Sequence, residues 1–283
     1  MAENVTHWLK SLHRDLSPVS ESPALDSQVL LAHVLGRPRA WVLAHPGSML
    51  TAEQEVILGD ALQCLKEGVP LPYVLGRWEF YGLDFIVTPD TLIPRPETEL
   101  LVENALDWLR EQPGRRMAAD VGTGSGCIAI ALACNIPDLQ MLAVDASYRA
   151  LKIAAENALQ YAVSDRVSLV NCDLLTPVRK RFDLVCANLP YIPKVDLKSL
   201  AVARREPIDA LDGGPDGLDL IRRLMNAVPR LLSPDGLLLL EIAADQGNTA
   251  CEIAKSTLPR SDIQMLKDLA GRDRLLRVRF RDG

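Results

Sequence analysis

The sequence predicts an α/β domain built on a largely parallel sheet and preceded by a small all-helical domain. Three observations carry that reading. Residues 117–133 run as a short apolar strand, a glycine-rich turn and a buried helix, which is the opening of a βαβ unit. Further short apolar runs at 140–144, 166–170 and 182–187 each end in polar residues. From about Asn4 to Glu67 the apolar residues recur at helical spacing instead, with no strand run. A length of 283 residues suits roughly two domains, and an apolar fraction of 48% supplies a sizeable core.

The elements follow in chain order. Asp26, Val29, Leu30, Leu31, Val34 and Leu35 predict an amphipathic helix that ends near Gly36. Thr51-Ala52-Glu53-Gln54 has capping-box spacing ahead of Val56, Ile57, Ala61 and Leu62. Gly76 to Pro94 reads as a hairpin linker with Phe80, Phe85 and Val87 as its apolar residues. The expected division is therefore a helical domain over 1–75, a linker over 76–94 and a catalytic domain over 95–283. Trp8, Trp41, Trp78 and Trp108 all precede the glycine turn, and core packing is their expected role. Beyond it, 218–232 reads as a helix, 236–242 as a fully buried strand, and 263–266 with 275–280 as the last two strands.

Function is concentrated in two short motifs. The first is Asp120-Val121-Gly122-Thr123-Gly124-Ser125-Gly126. Glycines there let the chain turn tightly and let a ligand approach with no Cβ in the way. The helix that follows presents backbone N–H groups to a polar or anionic ligand. The spacing is G-x-G-x-G directly after an acidic residue, whereas dinucleotide folds favour G-x-G-x-x-G. This resembles the first motif of S-adenosylmethionine-dependent methyltransferases with a Rossmann-like fold. Asp145, at the end of the next strand, is placed to accept both ribose hydroxyls of a nucleoside. After the third strand, Asp173 and Leu174 stand where such methyltransferases flank the adenine, the carboxylate toward the amino group and the leucine on the ring.

The second motif, Asn188-Leu189-Pro190-Tyr191, closes the strand 182–187. It matches the pattern of amino-methyltransferases that act on exocyclic base nitrogens or side-chain amides. A nitrogen conjugated to a carbonyl or ring has little lone-pair density with which to attack. Two acceptors, the Asn188 side-chain oxygen and the Leu189 backbone carbonyl, can take its two hydrogens and favour charge developing on it. Pro190 stiffens the loop and Tyr191 offers an aromatic face to a planar target.

Other segments extend the likeness over nearly the whole chain. They are Pro72 to Gly76, Glu79-Phe80-Tyr81, Thr91 to Glu99, Glu206-Pro207, Ala210 to Gly214, Asp216-Gly217-Leu218, Glu241-Ile242, Gln246-Gly247 and Ala270 to Arg274. Together they resemble the peptide-chain release factor N5-glutamine methyltransferases. The resemblance implies a Rossmann-like domain with a seven-stranded, mostly parallel sheet whose last strand is antiparallel, and a helical domain that grips the protein substrate. It implies S-adenosylmethionine as cofactor, held by Asp120, Gly122, Thr123, Gly124, Ser125, Gly126, Asp145, Asp173, Leu174 and Asn188. It implies Asn188, Leu189, Pro190 and Tyr191 as the catalytic set, and the glutamine of the Gly-Gly-Gln tripeptide in class 1 release factors as substrate. Two departures stand out. The family has proline where this chain has Leu189, and glycine where it has Ala243. The backbone carbonyl survives the first change, and N6-adenine or guanine N2 methylation of nucleic acid, which uses the same motif chemistry, is the second reading.

Composition removes other classes. All four histidines lie within the first 45 residues, so the catalytic domain has no histidine base and no histidine metal site, against a triad hydrolase or a metalloenzyme. Six scattered cysteines without a C-x-x-C pair read as reduced and mostly buried, with no metal site. A net charge of −6 disfavours duplex DNA as a partner, and Arg179-Lys180-Arg181 and Arg204-Arg205 read as solvated faces. No run of about 18 apolar residues predicts a membrane span, and the start lacks a secretory pattern. A monomeric cytoplasmic protein is expected.

Overall fold

The computed structural model describes residues 3–281, which divide between Arg77 and Trp78 into two compact units. The first unit holds helices α1 (Val5–Leu16), α2 (Pro23–Leu35), α3 (Arg39–Ala44), α4 (Ala52–Lys66) and α5 (Leu71–Leu75). Local chemistry sets their ends. Asn4 caps α1 by accepting from the His7 N–H at 3.0 Å. Proline opens α2, and Gly36 closes it in the left-handed region at φ 60°. Both halves of the Thr51–Gln54 capping box form at the start of α4. Val5, Leu12, Leu16, Leu30, Leu31, Val42, Leu58 and Leu65 make this unit's core. Val56 and Ile57, read as part of the apolar pattern of α4, are exposed, and Leu58 and Leu65 take the inner positions.

The second unit begins within a hairpin of β1 (Arg77–Phe80), whose first residue is the last of the first unit, and β2 (Leu83–Ile86). Its two turn residues, Tyr81 and Gly82, both have positive φ, the two-residue turn that matches strand twist. The segment reads as a linker in sequence, yet Phe80 and Phe85 are fully buried in the main core. The Asp84 N–H donates to the Tyr161 hydroxyl at 2.6 Å, and the Asn157 carboxamide accepts from the Ile86 N–H and donates to the Ile86 carbonyl. That much apolar surface cannot be left on a connector without cost.

Next come α6 (Glu99–Glu111), β3 (Met117–Val121), α7 (Cys127–Asn135), β4 (Gln140–Asp145), α8 (Tyr148–Gln160), β5 (Val167–Asn171) and β6 (Phe182–Ala187). They are followed by α9 (Lys194–Leu197), α10 (Asp219–Leu231), β7 (Leu232–Glu241), α11 (Gly247–Thr257), β8 (Asp262–Lys267) and β9 (Asp273–Arg279). The sheet has seven strands in the order β5-β4-β3-β6-β7-β9-β8, parallel except for β9, which runs antiparallel to both neighbours. Alternate residues along each strand enter two different cores. Ala118, Leu184, Leu237 and Leu239 pack with α6 and α7, while Ala119, Val185, Leu238 and Leu240 pack with α10 and α11. The chain leaves β3 for β4 on one side and returns to β6 on the other. The carboxyl ends of β3 and β6 thus flank the switch point, where open α/β sheets bind ligands.

Two expectations need correction. Of the four tryptophans, Trp108 is buried in the main core, Trp8 and Trp41 pack against the helical unit's core from half-buried positions, and Trp78 is half-buried without joining a core cluster. Of the six cysteines, all free thiols, Cys127 and Cys186 are buried, Cys172 and Cys251 are half-buried, and Cys64 and Cys134 sit on outward helix positions.

Candidate active site

Gly122, Gly124 and Gly126 all adopt left-handed backbone, with φ of 74°, 55° and 83°. An L side chain is strained there, which explains the G-x-G-x-G spacing. The loop is held by the protein itself. The Gly122 and Thr123 N–H groups both donate to the Val144 carbonyl at 2.9 Å, and the Gly126 N–H donates to the Thr123 carbonyl at 2.8 Å. A Cβ on Gly126 would come within 2.9 Å of Ile130 and 3.2 Å of Ala154, so this glycine permits close packing of α7 on α8. A Cβ on Gly124 would meet nothing within 4 Å, so that face of the loop is open. These loop amides are engaged within the protein, which presets the loop's shape.

Asp120 and Thr123 lie under the loop. The Thr123 hydroxyl donates to Asp120 Oδ2 at 2.6 Å, and the Ala129 N–H donates to the same oxygen at 3.3 Å. Asp120 is fully buried, and burial pushes its carboxyl up to about 7, against the two hydrogen bonds. Both residues brace strand, turn and helix from beneath. Ser125 is also buried, and its carbonyl accepts from Asn157 at 2.9 Å.

Asp145 closes β4 at the rim. Its Oδ2 accepts from the Gly124 N–H at 2.9 Å and its Oδ1 from the Ser147 N–H at 2.8 Å. Burial raises its carboxyl and these bonds lower it. Each oxygen keeps a lone pair for a further donor. Asp173, beyond β5, is exposed and pairs with the Arg223 guanidinium of α10. Leu174 beside it has φ 51° and packs on the core from a half-buried position. Arg223 escaped the sequence reading because its partner lies 50 residues away.

The two motifs meet at Gly122. A Cβ there would lie 3.1 Å from Leu189 Cδ2 and 3.7 Å from the Asn188 carbonyl oxygen. Leu189 is buried, so packing rather than a proline ring holds that position. The loop's other carbonyls are crowded by glycines. A Cβ on Gly213 would approach the Pro190 oxygen to 2.8 Å, and one on Gly217 the Tyr191 oxygen to 2.2 Å. The Gln246 side-chain amide donates to that Tyr191 carbonyl at 2.8 Å. The Tyr191 hydroxyl makes a long contact of 3.5 Å to Glu241 Oε1, and burial first, then Glu241, pushes the phenol up to about 12.

Asn188 donates from Nδ2 to the Thr98 hydroxyl oxygen at 3.0 Å. Glu241, at the end of β7, is buried, and its carboxyl is pushed up to about 7 chiefly by burial. Thr98, Arg274 and Tyr191 hold it down and Glu97 raises it. Upstream, Arg95 pairs with Glu206, which also accepts from the Ile93 N–H at 3.1 Å, pinning the segment that carries Thr98. Thr98, Glu241, Gln246 and Gly217 were visible in sequence only as parts of resembling segments, because no local spacing connects them to Asn188. Among the described residues no His, Cys, Asp and Glu group could hold a metal ion.

Comparison with known proteins bears on this arrangement. A family model described as the PrmC N-terminal domain matches residues 7–76, and one described as the methyltransferase small domain matches 96–205. The release factor glutamine methyltransferase of Moorella thermoacetica is 42% identical over 90% of this chain and 90% of its own. The chain belongs to the release factor glutamine methyltransferase family. The Salmonella typhimurium member is 36% identical over 97% of this chain and 98% of its own. Among solved structures, a ribosomal protein L11 methylase from Lactobacillus delbrueckii subsp. bulgaricus superposes with a TM-score of 0.51 at 23% identity, over 69% of this chain and 84% of its own, and shares the fold. Family and fold make the chain an S-adenosylmethionine-dependent methyltransferase. The rim fits that cofactor: Asp145 retains acceptor capacity on both oxygens, and the open face of Gly124 stands beside it.

Proposed function

We propose that this chain methylates the side-chain amide nitrogen of the glutamine in the Gly-Gly-Gln tripeptide of class 1 peptide-chain release factors. The observation that carries the reading is the pose of Asn188. Its Nδ2 is engaged by Thr98 and its backbone adjoins the glycine turn at Gly122, which leaves Oδ1 as the end available to a substrate amide. The release factor glutamine methyltransferases that align along the whole chain supply the substrate.

In this reading Gly122, Gly124 and Asp145 hold the cofactor from the β3 and β4 side, on a loop braced by Asp120, Thr123, Ser125 and Gly126. Asp173 and Leu174 border the adenine. S-adenosylmethionine supplies an electrophilic methyl on a sulfonium with a good leaving group, so the protein's work is positioning. Asn188 Oδ1 and the Leu189 carbonyl accept the two amide hydrogens, and Tyr191 packs on the amide plane. When that methyl passes to the amide nitrogen and the C–S electron pair stays on sulfur, positive charge would grow on the nitrogen, Asn188 Oδ1 and the Leu189 carbonyl would bind its hydrogens more tightly, and one N–H proton would be given up to water. The helical unit grips the protein substrate, and the enzyme works as a monomer in the cytoplasm.

The test is Asn188→Ala. Turnover on an intact release factor falls by about 10²-fold or more, while the cofactor dissociation constant stays within a few-fold. Wild-type turnover in the variant would remove Asn188 from the chemistry.

A further inference from the structure

A carboxamide has two ends of similar shape and opposite chemistry. Substrate N–H groups require the oxygen end of Asn188; the amino end would set donor against donor. Backbone position does not choose between them. The group that touches the Asn188 amide is the Thr98 hydroxyl, and a hydroxyl can either accept from Nδ2 or donate to Oδ1. The choice depends on where the Thr98 proton goes.

Glu241 lies beside it. The carboxyl is buried at the end of β7, the Thr98 hydroxyl lowers its pKa, and Oε2 makes no full hydrogen bond with any described residue. An ionised carboxylate only accepts. It therefore draws the Thr98 proton to itself and leaves the Thr98 oxygen to accept from Asn188 Nδ2. A protonated Glu241 can donate to Thr98 instead, which frees the threonine proton for Asn188 Oδ1 and turns the amide round. We propose that Thr98, backed by Glu241, is the positioning residue that sets which end of the Asn188 carboxamide faces the substrate amide. This rests on the reading that Asn188 receives the glutamine amide.

The surroundings of Glu241 let its charge matter. Arg274 on β9 favours the ionised form, and Glu97, on the turn that carries Thr98, opposes it. Tyr191 contacts Oε1, and its phenol stays protonated with a pKa of about 12. Cys127 on α7 feels the same carboxyl, and its buried thiol is likewise pushed up to about 12. With Glu241 itself at about 7, the pH that ionises it lies in the working range.

The experiment follows steady-state methylation of an intact release factor and, separately, S-adenosylmethionine binding by calorimetry. Thr98→Val keeps the shape and removes the hydroxyl. Its kcat drops at least about tenfold with the cofactor dissociation constant within about twofold, and Thr98→Ser restores most of the rate. Wild-type kcat rises with pH through about 7 as Glu241 ionises, and Glu241→Gln, which has no proton to lose in this range, loses that acid limb. Wild-type kcat in Thr98→Val, a loss that serine does not recover, a matching loss of cofactor affinity, or an acid limb kept by Glu241→Gln would each overturn the role. A wild-type enzyme that binds S-adenosylmethionine but leaves the glutamine unlabelled would overturn the functional reading beneath it, and the positioning role with it.

Discussion

Asp145 shows how one carboxylate serves two ends. Its oxygens each accept one backbone N–H, from Gly124 and Ser147, which fixes their direction and leaves a lone pair on each for a further donor. Charge-assisted hydrogen bonds contribute about 1.5–3 kcal/mol each, so Asp145→Ala weakens S-adenosylmethionine binding at least about tenfold. Calorimetric titration checks this, and unchanged affinity would take Asp145 out of the site. The places of Asp145 and Asn188 on the sheet edge are legible in sequence because each ends a recognisable strand, and strand ends share one sheet edge. Asp120 misleads for the opposite reason. It stands beside the glycines but is buried beneath them, held by Thr123 and Ala129. Thr98 and Glu241 show only as members of resembling segments, with no spacing that ties them to Asn188. Asn188 and Thr98 are 90 residues apart, and only the folded sheet joins them.

At the scale of elements, the loop 212–218 does for the Asn188 motif what the glycine turn does for the cofactor side. Gly217, at φ 78°, lies so close to Tyr191 that a Cβ would reach its carbonyl oxygen at 2.2 Å and the Gln246 amide at 2.6 Å. The nearer neighbour is backbone, and the Gln246 amide is a side-chain end held on that same carbonyl. Gly217→Ala therefore shifts the Tyr191 backbone, and with it the Leu189 carbonyl and Asn188. Turnover falls by about tenfold or more while cofactor affinity stays within a few-fold, since Asp145 and the β3 turn are untouched. Parallel titration and rate measurements separate the two effects; an equal loss in both would mean that the loop supports the whole edge. The helix caps and the parallel strands were readable because capping spacing and buried apolar runs are local. The hairpin 77–86 was readable as a hairpin but not as core, because burial of Phe80 and Phe85 depends on α6 and α7 arriving from later in the chain.

Across the whole molecule, two acidic groups used near the site leave a mark on stability. Asp120 has an ordinary value of 3.8 and Glu241 of 4.5, and burial raises both to about 7 in the folded chain. Each keeps its proton to higher pH when folded than when unfolded. The stability they contribute is full below the unfolded values and is lost as pH rises through about 7. Asp216, lowered to about 2 chiefly by Arg222, has the opposite sign but acts only below 3.8. Melting temperature therefore declines between about pH 4 and pH 7, and Asp120→Asn flattens part of that decline. A melting temperature that climbs steadily over this range would contradict the assignment. The fold places two motifs, 68 residues apart in sequence, on one carboxyl edge, and the proposed substrate of that edge is a protein amide. The most direct measurement supplies labelled S-adenosylmethionine with an intact release factor, its Gly-Gly-Ala variant, transfer RNA and DNA, and locates the methyl group by peptide mass spectrometry. The account predicts label on the Gly-Gly-Gln glutamine of the intact protein and none on the variant at that position. Label on adenine or guanine, with none on the release factor, would contradict it.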